Sequence, residues 1–168
     1  ITEFPIGEYD FSLMRNFLFN HAERIRFDML SGSTLDPLAQ LAKKYRGEIK
    51  YHVMHAGTWI KQLGQANEES HSRMQTALNE TFNLALGIFE ESEFASTLKE
   101  LGIFDGEKIL QEMWIEEITP ILVSANLVIP DKSLWQPAYG GRYGIHTEYL
   151  QPLLDEMGEV FRLDPKAE

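Results

Sequence analysis

The fold is decided by residues 36–64, DPLAQLAKKYRGEIKYHVMHAGTWIKQLG. Apolar side chains recur in this segment at alternating intervals of three and four residues, which is the spacing of one face of a long α-helix. The series consists of Leu38, Leu41, Tyr45, Ile49, His52, Ala56, Trp59 and Leu63. Asp36 and Pro37 are typical of a helix start, and Gly64 is typical of a helix end. We therefore predict one helix of about seven turns that packs nearly parallel to its neighbours in a bundle.

The same spacing predicts four further amphipathic helices. They cover residues 9–31, 67–89, 105–122 and 150–161. Asn67 is expected to cap the helix at residues 67–89, and Asp105 is expected to cap the helix at residues 105–122. Pro120 lies in this second helix and is expected to kink it or end its regular part. A short acidic helix is predicted at residues 90–101, and no credible pair of strands is found. The sequence therefore predicts an all-α protein with a single domain over residues 1–168.

Residues 127–146 interrupt the helical pattern. They contain Pro130, Pro137 and the pair Gly140-Gly141, which favour a loop. The same segment carries large aromatic side chains, and aromatic side chains need burial. We therefore predict an ordered loop here rather than a flexible linker.

The chain of 168 residues has a net charge of −11, because its 26 Asp and Glu outnumber its 15 Lys and Arg. Such an acidic chain repels phosphate groups, so nucleic acids and anionic membrane surfaces are not expected as partners. No apolar run approaches the roughly 18 to 20 residues that cross a bilayer. Cysteine is absent, which excludes disulfides, cysteine-based metal sites and cysteine nucleophiles. A cytoplasmic location is predicted.

The candidate metal ligands are Glu48 and His52, which lie four residues apart in the second helix. A di-iron carboxylate bundle needs inward-facing Glu and His side chains at i and i+3. The residue three before His52 is Ile49, and Ile cannot bind a metal ion. A metal-ligand pair is one interpretation. The interpretation we favour is a buried His52 that is hydrogen-bonded to Glu48 or Tyr45.

Other polar residues are interpreted as structural. His21 lies on the apolar face of the first helix without a ligand pattern, so we predict that it is a core residue. The acidic clusters at residues 90–93 and 116–117 are interpreted as solvated faces. Periodicity alone therefore predicts an acidic helical bundle without a complete catalytic set.

Two motifs point to a family. The first is EIKYH at residues 48–52 with WIKQLG at residues 59–64, and the second is GGRYGIHTEYL at residues 140–150. Together with the order of the helices between them, they resemble the C subunits of bacterial phenylacetyl-CoA ring epoxidases, the phenylacetate-degradation C proteins. The resemblance covers nearly the whole chain and the C-terminal two-thirds of the family's length. It implies a ferritin-like helical bundle, here lacking about two N-terminal helices.

The resemblance also implies a function. In this family the related A subunit holds the di-iron site and inserts oxygen, whereas the C subunit has lost the metal and pairs with A as a structural partner. Ile49 stands where the Glu of a Glu-x-x-His motif would be, in agreement with a subunit that has no cofactor of its own. The chain is therefore expected to be a non-catalytic subunit of the epoxidase in aerobic phenylacetate catabolism, with di-iron in the partner A subunit.

Two rival functions stay open. One is a metal-binding ferritin-like di-iron oxidase that uses Glu48 and His52. The other is a helical interaction protein without a link to oxygenases. Two absent helices would uncover the face from Leu38 to Leu63, and large exposed apolar patches are rare on soluble monomers. We therefore also expect the isolated chain to form a homo-oligomer.

Overall fold

The computed structural model describes residues 1–163, and every regular element in that part of the chain is a helix. The α-helices are α1 (Tyr9–Leu30), α2 (Asp36–Ala66), α3 (Glu68–Leu86), α4 (Ala95–Glu100), α5 (Glu107–Ser124), α6 (Leu150–Met157) and α7 (Glu159–Leu163). Short 3₁₀ turns lie at Gly87–Phe89, Lys132–Leu134 and Gly141–Tyr143. The prediction of an all-α fold is confirmed.

Helix α1 lies at the centre of the bundle and packs against α2, α3 and α5. Its buried side chains meet those of α3 and α5 in one apolar core, from which water is excluded. The largest members of this core are Met14, Phe17, Leu18, Leu78, Phe82, Leu110, Trp114 and Ile118. Helices α2, α3 and α5 therefore surround α1, and α6 and α7 contribute no residue to this core.

Trp114 of α5 is the centre of an aromatic cluster in the core. Its ring centroid lies 5.0 Å from that of Phe89, and its indole N–H donates to the carbonyl oxygen of Leu18 at 3.0 Å. Trp135 joins the cluster from the segment after α5, with its ring centroid 5.5 Å from that of Phe82. We call this segment, residues 125–149, the C-terminal loop. The ring of Trp135 packs on that of Phe82 at a distance typical of aromatic pairs, and this contact fixes the loop on the bundle.

The buried face of α2 agrees with the predicted one at Ala56 and departs from it at Leu41 and Trp59. The buried residues of this helix are Ala39, Ala42, Ala56, Ile60 and Gly64. Leu41 is 48% exposed and Trp59 is 39% exposed, although the sequence pattern assigns both to the buried face. The true face lies about one residue further along the chain, at Ala42 and Ile60. Small side chains prevail there because they let the helix approach its neighbours closely: a Cβ on Gly64 would lie 2.3 Å from the carbonyl oxygen of Ala125.

Helix ends follow the sequence signals in part. The side chain of Asn67 accepts a hydrogen bond from the backbone N–H of Ser70 at 2.8 Å, so the predicted cap of α3 is confirmed. Asp36 and Asp105 do not cap, because α2 begins at Asp36 itself and α5 begins at Glu107. Pro120 does not end α5, which continues to Ser124.

Candidate functional site

Glu48 and His52 both lie on the solvent-exposed side of α2. Ile49 between them is half-buried. The shift of the α2 face by one residue turns Val53 towards the bundle and His52 away from it. The prediction that His52 is a buried, inward-facing residue is therefore wrong.

A di-iron site needs carboxylates and histidines from several helices that converge on one buried point. Glu48 and His52 belong to a single helix and face solvent, so they do not fit such a site. Within residues 1–163, no group of three or more His, Asp or Glu side chains is placed to hold a metal ion. The absence of a cofactor from this chain stays a prediction.

His21 is a buried histidine that binds a carboxylate. Its Nδ1 lies 2.5 Å from Oε1 of Glu117 on α5, and the other oxygen of Glu117 accepts a hydrogen bond from Arg24. Burial, together with the positive charge of Arg24, lowers the pKa of His21 to about 4. The carboxylate of Glu117 favours the charged form of the His21 ring. Arg24 already pairs with this carboxylate, so the effect of burial on the pKa of His21 is the larger one. His21 is therefore neutral at pH 7 and donates its Nδ1–H to Glu117, which confirms the prediction of a core residue.

Glu107, the first residue of α5, is a buried carboxylate between two arginines. Its Oε1 accepts hydrogen bonds from Arg26 of α1 at 2.5 Å and from Arg142 of the C-terminal loop at 2.6 Å. Arg26 also donates to Glu23 at 3.0 Å. A buried charge is tolerated only when it is paired and hydrogen-bonded. This ion-pair cluster therefore ties α1, α5 and the C-terminal loop together.

Glu90 holds the glycine-rich part of the C-terminal loop. Its buried carboxylate accepts hydrogen bonds from the backbone N–H groups of Gly140 at 2.6 Å and Arg142 at 3.0 Å. Gly140 has φ of +119°, a conformation that favours glycine. A Cβ on Gly87 would lie only 2.4 Å from the carbonyl oxygen of Ala138. The loop can therefore dock here only because Gly87 has no side chain.

Glu3 binds the end of the same loop. Its carboxylate accepts hydrogen bonds from the backbone N–H of Thr147 at 2.8 Å and from the hydroxyl of Thr147 at 2.7 Å. Nδ1 of His146 lies 2.8 Å from the other oxygen. These hydrogen bonds, led by the backbone one from Thr147, lower the pKa of Glu3 to about 2. The segment before α1 and the segment before α6 are thus fastened to each other.

A cavity of about 220 Å³ lies beside Glu107. Its walls are mostly apolar and include Leu30, Leu98 and Phe104. The charged residues that line it are Arg26, Glu107 and Arg142, which form one ion-pair cluster. Both arginines bind Oε1 of Glu107, and its Oε2 is buried without a hydrogen-bond partner among the described residues.

The sequence pattern singles out Glu48, whereas the carboxylates that bind other segments of the fold are Glu90, Glu107 and Glu117. The interpretation of residues 90–93 and 116–117 as solvated faces is wrong for Glu90, which is buried, and for Glu117, which is half-buried and bound to His21. A signal existed for Glu117, because it follows the core residue Trp114 by three positions on the same helix. The partners of Glu90 and Glu107 lie far away along the chain, so no local pattern indicates them.

The fold belongs to the class of ferritin-like helical bundles. The model of the phenylacetic acid catabolic protein family matches residues 1–168, and the chain belongs to this family. The resemblance stated from the two motifs is thereby confirmed.

A similar curated protein is the C subunit of 1,2-phenylacetyl-CoA epoxidase of Escherichia coli (strain K12). The two sequences are 28% identical over 165 residues, which make up 98% of this chain and 66% of the relative. The chain thus spans just under two thirds of that relative's length. Family and relative both connect the chain with phenylacetate catabolism.

None of the described helices is long and apolar enough to cross a membrane. The cytoplasmic location stays a prediction.

Proposed function

We propose that the chain is a non-catalytic, structural subunit of a di-iron phenylacetyl-CoA epoxidase in aerobic phenylacetate catabolism. In this proposal it pairs with a catalytic A subunit, which holds the di-iron centre. Membership of the phenylacetic acid catabolic protein family supports the pathway. The name of the E. coli relative, the C subunit of an epoxidase, supports the place in an assembly.

The observation that carries the proposal is that Glu107 and Glu117, the carboxylates of α5 inside the bundle, are each paired with arginine. Glu107 binds Arg26 and Arg142, and Glu117 binds His21 and Arg24. Oε2 of Glu107 has no hydrogen-bond partner within residues 1–163, but a di-iron site needs carboxylates and histidines from several helices around one point, without cations beside them. Arginine stays positively charged at every physiological pH, so it would repel a dication from these positions. The bundle interior therefore suits packing rather than metal chemistry.

The rival function, a di-iron oxidase that uses Glu48 and His52, is not favoured by their positions. Both side chains are on the exposed side of one helix, and Ile49 occupies the more buried position between them. Water surrounds such a surface pair, whereas di-iron chemistry takes place in a closed cavity of the bundle. The proposal therefore assigns the chemistry to the partner and leaves positioning and support to this chain.

Exposed apolar side chains support a role within an assembly. Helix α2 exposes Tyr45, Tyr51, Met54 and Trp59 to solvent. On a free monomer a large apolar patch is uncommon, and a contiguous one marks an interaction site. A subunit with a protein neighbour accounts for these residues better than a free-standing enzyme does.

The test is reconstitution of the chain with the A subunit encoded by the same organism. Light scattering on a size-exclusion column measures complex formation. Oxygen uptake in the presence of an added two-electron donor, which reduces the second oxygen atom to water, measures turnover of phenylacetyl-CoA. We expect a stable complex, and turnover that the His52→Ala and Glu48→Gln variants leave within twofold of the parent. Loss of turnover in these variants, at unchanged complex formation, would support the di-iron oxidase instead. Failure to form any complex would contradict the structural-subunit proposal.

A further inference from the structure

The middle of α2 is open to solvent over several turns. Between Ala42 and Ala56 no residue of this helix is buried, and only Ile49 and Val53 are half-buried. At 1.5 Å per residue, the open stretch at residues 43–55 is about 20 Å long. Helices in proteins gain most of their stability from packing, so this stretch has a side without a partner.

That side is basic and also carries exposed apolar side chains. Tyr51 is 62% exposed and Met54 is 60% exposed. A Cβ on Gly47 would meet nothing within 4 Å, so a neighbouring helix can approach the backbone closely there. The residues of this side lie three or four positions apart, and we call them the α2 outer face: Lys43, Lys44, Gly47, Lys50, Tyr51 and Met54. Within residues 1–163 its three lysines form no ion pair.

Helices α6 and α7 carry a continuous apolar stripe. Gly158 separates the two helices, and its backbone N–H still donates to the carbonyl oxygen of Leu154 at 2.9 Å. Met157 is 72% exposed and Phe161 is 68% exposed. Residues 150–163 span about 20 Å, the length of the open stretch of α2. We call the apolar residues of this segment the C-terminal stripe: Leu150, Leu153, Leu154, Met157, Val160 and Phe161.

The charges beside the stripe are acidic. Glu156 and Glu159 each precede a residue of the stripe by one position. Neither of them forms an ion pair with any residue in the described part of the chain, whereas Asp155 is bound to Arg162. Two acidic side chains beside the stripe are therefore available to basic groups of a partner.

The stripe does not pack on the α2 outer face of its own chain. Both surfaces are exposed at the same time, as the solvent exposure of Met157 and Met54 shows. Glu3 binds His146 and Thr147, which fixes the start of α6 on the bundle. A segment that is held in this way loses less conformational entropy when it binds a partner.

The two surfaces are complementary to each other. They have the same length, both expose apolar side chains, and the lysines of one face match the glutamates of the other in sign. The chain's net charge of −11 does not oppose this contact, because at physiological salt charges further apart than about 8 Å are largely screened. An anionic lipid surface would attract the lysines but repel the acidic helices, so it would leave the stripe uncovered. A second copy of the chain supplies the complement of both surfaces.

We propose that two copies of the chain form a symmetric dimer, in which the C-terminal stripe of each copy packs on the α2 outer face of the other. The contact is made twice, so the pair is closed and leaves neither surface free. Glu156 and Glu159 then face the lysines of α2, and Gly47 lets the helices approach closely. This dimer goes beyond the proposed function and does not depend on it.

Reversal of charge on one face at a time tests the dimer, with its dissociation constant measured by sedimentation equilibrium. The basic-face variant carries Lys43→Glu and Lys50→Glu, and the acidic-face variant carries Glu156→Lys and Glu159→Lys. We expect each variant alone to dimerise at least tenfold more weakly than the parent, because like charges then meet at both contacts. An equal mixture of the two variants should dimerise within threefold of the parent, because both contacts of the mixed pair again join opposite charges.

Matched controls reverse the same number of charges elsewhere. Lys99→Glu with Lys108→Glu is the control for the basic-face variant, and Glu112→Lys with Glu116→Lys is the control for the acidic-face variant. All four positions are exposed, and dimerisation of both controls should stay within twofold of the parent. Circular dichroism checks that every variant is folded.

Three outcomes would overturn the inference. A parent chain that stays monomeric at the highest concentration measured has no such dimer. Variants that dimerise as tightly as the parent would show that the two surfaces lie outside the contact. If each variant alone is weakened but the mixture is not restored, the two surfaces do not bind each other. Each of these outcomes leaves the proposed function standing, because binding of the A subunit is measured separately.

Discussion

Nη2 of Arg142 lies 2.6 Å from Oε1 of Glu107, and this ion pair joins the C-terminal loop to the start of α5. The same oxygen of Glu107 binds Arg26 of α1. Three separate segments of the chain therefore meet at one buried carboxylate. The cluster explains how an irregular loop of about twenty-five residues, between helices that end at Ser124 and begin at Leu150, keeps a defined position on the bundle.

Glu107→Gln tests this cluster. The substitution keeps the shape of the side chain but leaves the largely buried guanidinium of Arg26 with only Glu23 as an acidic partner. Removing one partner of a buried pair costs about 3 kcal/mol, so we expect a loss of that order in the free energy of unfolding, measured with urea. The exposed Glu112→Gln on the same helix is the control and is expected to change it by less than about 0.5 kcal/mol. Equal stability of the two variants would contradict a structural role for Glu107.

Gly87→Ala tests the docking of the loop. The new Cβ would come within 2.4 Å of the carbonyl oxygen of Ala138, so backbone must move. We expect faster hydrogen exchange at the backbone amides of Gly140 and Arg142, whose acceptor is Glu90. Gly57→Ala is the matched control, because a Cβ there meets nothing within 4 Å and α2 should gain about 1 kcal/mol of helix stability. If these two amides exchange at the same rate in both variants, the absence of a side chain at Gly87 is not what lets the loop dock.

The buried His21 makes stability depend on pH. Its pKa is about 4 in the folded protein, against an ordinary value near 6.5, so the unfolded chain binds the additional proton between these values. The free energy of unfolding should therefore fall as the pH drops from 6.5 to 4, by about 3 kcal/mol from this residue. His21→Gln keeps a donor for Glu117 but cannot titrate, so urea denaturation should show a flatter pH dependence in this variant. Identical slopes for parent and variant would mean that His21 is not the group responsible.

His52→Ala measures the corrected position of this residue. The sequence pattern predicts His52 in the core, where its loss would destabilise the protein, but the structure places it at the surface. We now expect a change of less than about 0.5 kcal/mol in the free energy of unfolding. Ile60→Ala, on the buried face of the same helix, should cost about 2 to 5 kcal/mol. If the two variants lose comparable free energy of unfolding, His52 is a core residue and its surface position is wrong.

The predicted homo-oligomer of the isolated chain has a direct test. The face of α2 exposes Leu41, Tyr45 and Trp59, and association through this helix would cover such side chains. Light scattering at micromolar concentration should show a species larger than a monomer of 19.3 kDa. A compact, folded monomer would overturn this prediction.

The sequence predicts those features of the fold that depend on residues close together in the chain, such as helix caps. Asn67 is recognisable as a cap because the backbone N–H that it binds is three residues away. The predicted buried face of α2 is displaced by one residue because large apolar residues such as Leu41 dominate the pattern, while the packing selects Ala42. That choice depends on how closely the neighbouring helices approach, which a single helix does not reveal.

At the candidate site, too, the sequence predicts the position of a residue on its helix but not its distant partners. The position of His21 on the apolar face of α1 predicts a core residue, and His21 is buried. Its partner Glu117 is 96 residues away, and the partners of Glu90 in the loop are 50 and 52 residues away. Such contacts arise only when the helices assemble, so periodicity could show that buried faces exist but not which carboxylates they enclose.

The central claim, that this chain supports a di-iron partner and binds no iron itself, is tested most directly by elemental analysis after anaerobic reconstitution with Fe(II). The chain alone, the A subunit alone and their complex are each desalted and measured for iron per polypeptide. We predict two irons per A subunit in the complex and none above background in the chain alone. Two irons bound to the isolated chain, and lost in a Glu48→Gln and His52→Ala double variant, would contradict the account.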